Sequence, residues 1–151
     1  MKRVIRLLPL VGLVLSLAAP ILAADFRHST PAVSGYDVVS FQTGEKPLRG
    51  NGNHVAVHDG ATYLFVNDAN KRTFEKDPER YAPAYGGYCA YGVAVGKKFV
   101  GDPDVWKVVD DRLYLNLDTK IQETWSKDIS GNIRKADGQW TKIEGSDPAS
   151  L

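Results

Sequence analysis

The chain has 151 residues, with 19 Lys and Arg against 18 Asp and Glu spread along it, and a single cysteine. That balance excludes the one-sided basic footprint of a nucleic-acid binder, and the length allows one ordinary domain with one core. One cysteine cannot close an internal disulfide, so the core must hold by packing alone.

The N-terminus carries Lys2, Arg3 and Arg6, then an apolar run over 7–22 interrupted by Pro9 and Pro20, then Ala23 and Ala24. Charged end, apolar middle and small-residue cleavage site are the order of a secretory signal. A spanning helix would need about 20 apolar residues without a proline near each end. Residues 1–24 are therefore expected to be a cleaved signal peptide, which makes the mature protein periplasmic or secreted and leaves it without membrane attachment. The signal holds three of the basic residues, so the mature chain has 16 basic against 18 acidic and is close to neutral. Polar residues and Pro31 over 25–34 read as an extended arm, 35–144 as the domain, and the polar stretch 145–151 with Pro148 as a frayed tail.

Within the domain, 35–41 reads as a short strand or one helical turn, and 42–53, with Gly44, Pro47, Gly50 and Gly52, as a loop. The β-branched and aromatic runs 54–58 and 62–66 flank Asp59-Gly60, a pair suited to the positive backbone angles of a tight hairpin turn. Asn67 or Asp68 can cap a helix running to Lys76, because a short oxygen-bearing side chain satisfies the first free amides. Pro78 after Asp77 suits the first position of a further helical turn. Phe74 and Tyr81, seven residues apart, are expected to face the core, and Pro83 to end the unit.

A second hairpin is expected from 105–109 and 113–116 across Asp110-Asp111. Asp102, Asp104, Asp110 and Asp111 lack the order of a calcium loop and read as turn formers. Asp118 caps a helix in which Leu117, Ile121 and Trp125 recur every four residues. Ile129, Ile133, Ala136 and Trp140 continue the stripe across Gly131, which predicts a break between two helices at that glycine. The fold class is thus α+β, a small single domain with two β-hairpins and several short helices, the C-terminal helices covering the core.

The chemistry concentrates in Tyr85-Gly86-Gly87-Tyr88-Cys89-Ala90-Tyr91. Gly86 and Gly87 let the backbone turn sharply, and a short helix over 88–95 would place Tyr85, Tyr88 and Tyr91 on one side. Cys89 in its first turn would be favoured as a thiolate; the other reading is a small buried apolar residue. Tyr85, Tyr88, Cys89 and Tyr91 are the candidate ligand-binding residues. Cys89, His54 and His58 are the candidate metal donors, for copper or zinc. On a strand rising about 3.3 Å per residue the two histidines stand about 13 Å apart, too far to share one ion, and solvation or capping is the plainer reading of the pair. A nucleophile elbow, phosphate loop, dinucleotide fingerprint, Cys-x-x-Cys pair and zinc-protease helix are all missing, so a binding role for a metal ion or protein partner is favoured over an enzyme.

The order Gly35-Tyr36-Asp37, Tyr63-Leu64-Phe65, Phe74 with Asp77-Pro78 and Tyr81, Tyr85-Gly86-Gly87-Tyr88-Cys89-Ala90, Asp102-Pro103 with Trp106, and Leu113-Tyr114-Leu115-Asn116 resembles the small exported bacterial proteins of the YHS-domain family. The resemblance covers nearly all of the expected mature chain and implies a compact α+β domain. YHS domains elsewhere are thought to bind metal through an upstream cysteine and another after the Tyr-Phe strand. Here Val66 follows Phe65 and no upstream cysteine exists, so that ligand set does not carry over; only Cys89 matches a thiol of the exported subgroup.

Overall fold

The computed structural model describes residues 30–151; the expected signal and residues 25–29 of the arm lie outside the described residues. Strands β1 (Asn51–His58) and β2 (Ala61–Phe65) pair antiparallel with His58 opposite Ala61 and Val55 opposite Leu64. Asp59 (φ 48°) and Gly60 (φ 73°) are both left-handed, the twist that a two-residue hairpin needs. The Asn67 side chain accepts the Asn70 amide and starts α1 (Asp68–Lys76); Asp77 caps α2 (Pro78–Tyr81) in the same way. After α3 (Ala90–Ala94), β3 (Asp102–Val109) and β4 (Arg112–Asn116) form the second hairpin, across Asp110 and Asp111, also both left-handed. Helices α4 (Thr119–Ser126), capped by Asp118, and α5 (Ile129–Ile143), capped by Asp128, complete the α+β domain.

The two halves repeat each other. The hairpins are offset by 51 residues, and so are the bulges, between Asn51 and Val55 and between Asp102 and Trp106. The caps Asn67 and Asp118, and Asp77 and Asp128, follow the same offset. Ahead of each hairpin stands a Pro-Ala-x-x-Gly-Tyr turn, at 31–36 and 83–88, with three consecutive left-handed residues, Val33-Ser34-Gly35 and Tyr85-Gly86-Gly87. In each, the tyrosine amide returns to the first left-handed residue's carbonyl, Tyr36 to Val33 and Tyr88 to Tyr85. Gly50 and Gly101 fill the same role: a Cβ on either would lie 2.4 Å from the Leu64 carbonyl or 2.5 Å from Leu115 Cβ, so only glycine lets the loop lie against the strand.

Each half has its own core. Phe74 packs on Tyr63 (4.6 Å) in the first and Trp125 on Tyr114 (5.7 Å) in the second, at equivalent positions. A third cluster joins them: Tyr36 and Phe41 press on Leu113 and Leu115, with Phe41 edge-on to Trp106 at 5.2 Å. The Tyr36 hydroxyl to Asp104 and an Arg80–Asp111 ion pair add polar ties across the same boundary.

Three expectations are corrected. The break in the C-terminal stripe falls at Lys127-Asp128, before Gly131, because Asp128 Oδ1 accepts the Gly131 amide and restarts the helix there. The helix expected over 88–95 is shorter, with Cys89 as its cap. The tail is held: Lys98 Nζ donates to the carbonyls of Glu144 and Ser146, Asp147 caps a turn at Pro148–Ser150, and Leu151 reaches the second core. Among the described residues no helix is long and apolar enough to cross a membrane.

These contacts rank the glycines. Gly50→Ala and Gly101→Ala are each expected to cost about 1–3 kcal/mol through overpacking. Gly138→Ala, on an open stretch of α5 with no atom within 4 Å of its Cβ position, should instead stabilise the protein by roughly 0.5–1 kcal/mol through helix propensity. Urea midpoints at constant slope check both signs.

Candidate functional site

Where the halves face each other they leave a cleft of about 810 Å³. Equivalent positions line it from both sides: Val33 and Tyr85 from the paired turns, Ala61 and Arg112 from the starts of β2 and β4. The second half adds an aromatic wall. Trp140 of α5 lies 5.8 Å from the Tyr85 ring and 6.2 Å from that of Tyr88. Behind it Lys98, 8% exposed, sits 5.3 Å from the centroids of both Tyr88 and Trp140 while donating to the chain after α5. A cation held between two ring faces and two carbonyls fixes those rings in place.

The electrostatics differ between the walls. Burial, and then the hydrogen bond from its hydroxyl to Asp137 Oδ1 at 2.8 Å, push the Tyr85 phenol well above its ordinary pKa, although the Arg112 guanidinium over its ring pulls the other way. Across the cleft, burial followed by the charges of Asp59 and Glu79 pushes Tyr63 up to about 12. Beside Tyr63, His58 Nε2 lies 3.5 Å from Asp59 Oδ2 and 3.3 Å from Glu79 Oε1. The first wall is thus acidic with one imidazole, and the second aromatic with one guanidinium.

The residues singled out in the sequence are distributed unevenly. Tyr85 and Tyr88 meet at the cleft; Tyr91 packs against the second core and does not line it. Cys89 is 1% exposed. Its sulfur accepts the Gly92 amide at 3.3 Å and approaches Asn116 Oδ1 at 3.7 Å, and that oxygen also accepts the Tyr91 amide. Cys89 occupies the place of Asp37 in the first half, whose fully buried carboxylate accepts the amides of Val39 and Val66 and the Asn70 side chain. His54 Nδ1 lies 2.7 Å from Asp68 Oδ1 and holds that carboxyl below its usual range. Among the described residues, one group of three or more His, Cys, Asp and Glu donors converges: His58, Asp59 and Glu79. His54 and Cys89 are not in it. Asp59, Glu79, Arg112, Lys98 and Trp140 went unnoticed as site residues in the sequence; the recurrence of Pro-Ala-x-x-Gly-Tyr was the available signal that two halves face each other.

Comparison with protein-family models, with curated proteins and with solved structures finds no match for this chain.

Two outcomes follow from this geometry. A disulfide reagent at neutral pH should label Cys89 at least about a hundredfold more slowly in the native protein than in denaturant, because exposure requires opening of the second core. The raised phenols set an alkaline limit: below pH 10 folded and unfolded chains are equally protonated, and as pH climbs toward 12 the unfolded chain releases protons first, so stability falls. Tyr63→Phe should flatten that loss in denaturation midpoints measured between pH 9 and about 12.

Proposed function

We propose that the protein is a non-catalytic ligand-binding module whose site is the cleft between its two halves, and that it acts in the periplasm or outside the cell. The observation that carries this reading is the unequal lining of equivalent positions: Val33 and Ala61 in one half, Tyr85 and Arg112 in the other. The space is large enough for a small organic molecule, within the ~300–1,000 Å³ of ordinary ligand sites. A flat apolar body seats against Tyr88 and Trp140, Arg112 meets an acidic or carbonyl group, and the His58 wall meets a basic or hydroxyl group. The resemblance to YHS-domain proteins also favours binding over catalysis. A thiolate-held copper or zinc ion at Cys89 has less support, since that sulfur is buried and engaged with Gly92 and Asn116.

An aromatic fragment library screened by amide and indole NMR tests the cleft. Hits should shift the Trp140 indole and the Gly86 amide, leave the fully buried Trp125 indole still, and weaken at least about tenfold (1.4 kcal/mol) in Trp140→Ala. Hits that gather instead in the hollow between Val109, Ile129 and Ile133, or no binding at about 1 mM, would sink the proposal.

A further inference from the structure

Chain geometry brings His58, Asp59 and Glu79 together from three local structures. His58 ends β1, Asp59 opens the hairpin turn, and Glu79 sits in the first turn of α2 behind Pro78. The imidazole is held edge-on to Phe74 at 5.9 Å and tilted against Tyr63 at 6.5 Å. Its side chain is 20% exposed, while the Glu79 carboxylate is 81% exposed and free to adjust.

The separations of 3.3 and 3.5 Å are long for charge-assisted hydrogen bonds, which run about 2.7–2.9 Å. They match the edge of a tetrahedron of donors around an ion with about 2.0–2.1 Å bonds, which is about 3.3–3.4 Å. A second, independent feature stands beside the cluster. Tyr63 is 6% exposed, lines the same cleft, and its hydroxyl has no hydrogen-bond partner among the described residues. The hydroxyl is not sealed from solvent, so it presents a free donor and acceptor toward the cleft. Tyr63 lines the cleft together with His58, Asp59 and Glu79.

We infer that His58, Asp59 and Glu79 bind a divalent transition-metal ion, of the zinc type, at the rim of the cleft, with a fourth position open toward the cleft beside the Tyr63 hydroxyl. One imidazole and two carboxylates suit such an ion and balance its charge. Three protein donors with one open position is the arrangement that leaves room for water or a ligand atom. The second half has no counterpart, because Val109, Asp110 and Ser130 occupy the equivalent positions. The inference deepens the binding-cleft reading and rests on it for the role of the open position.

The test uses the untagged full chain after chelator treatment, titrated with ZnCl2 by calorimetry and with CoCl2 by visible absorption. One equivalent is expected, without a sulfur-to-cobalt charge-transfer band. Cys89→Ser should leave the affinity unchanged. His58→Ala and Glu79→Gln should each weaken it by at least the about 10–100-fold that lost metal-site partners cost. The near-ultraviolet circular dichroism of Glu79→Gln, changed at an exposed carboxylate, controls for folding. Absence of binding at about 100 μM metal, binding unchanged in both cleft variants, or binding lost in Cys89→Ser would each overturn it. Fragment shifts at Trp140 that persist without metal binding would remove this inference alone and leave the cleft.

Discussion

Each half of the molecule depends on one buried side chain that accepts the free amides of its entry loop. In the first half it is Asp37, whose two oxygens tie the amide of Val39 to the amide of Val66 and the side chain of Asn70. A single buried carboxylate therefore joins the entry loop, the end of β2 and the first turn of α1, and its own burial depends on the three donors it accepts. In the second half Cys89 holds the place, with Asn116 at the end of β4 supplying the oxygen that receives the Tyr91 amide. The left-handed turns at Val33-Ser34 and Tyr85-Gly86 persist because these anchors, with the close glycine contacts, fix the loops on both sides of them.

The architecture repeats, but the chemistry does not. Where the first half ends in the short α2, the second continues into the fifteen-residue α5, which brings Trp140 over Tyr85 and Tyr88 and whose trailing carbonyls receive Lys98. The cleft consequently has one aromatic wall and another of carboxylates and an imidazole. A cleft between two copies of one unit acquires direction in this way, and the proposed ligand would meet a different set of groups at each end.

That asymmetry also separates the roles of the chain's two most reactive donor types. The thiol is a packing and capping group of the second half, shielded by the Asn116 amide and the α3 turn. The imidazole of His58 stands at the cleft with two carboxylates in reach. A metal expectation that began at the cysteine therefore has its stronger physical basis some thirty residues earlier in the chain, at a hairpin tip.

Much of the local structure was legible in the sequence. Asp59-Gly60 between β-branched runs, Asn67 and Asp118 as caps, Pro78 at a first helical turn and the four-residue spacing of Ile121 and Trp125 all express short-range sterics and amide satisfaction, which neighbouring residues decide among themselves. The end of α4 shows where this fails, since Gly131 looked like a breaker and the Asp128 side chain made it the third residue of a helix. The candidate site was legible only in part: Tyr85, Tyr88 and His58 stood out by type, whereas nothing local marked Glu79 or Lys98. Glu79 meets His58 because α2 folds back on the first hairpin, and Lys98 becomes buried because α5 ends beside it. Sequence determined which turns, caps and strands form, since those depend on residues a few positions apart. Tertiary packing alone decided which distant side chains share a cleft, because that follows from how two completed halves press together.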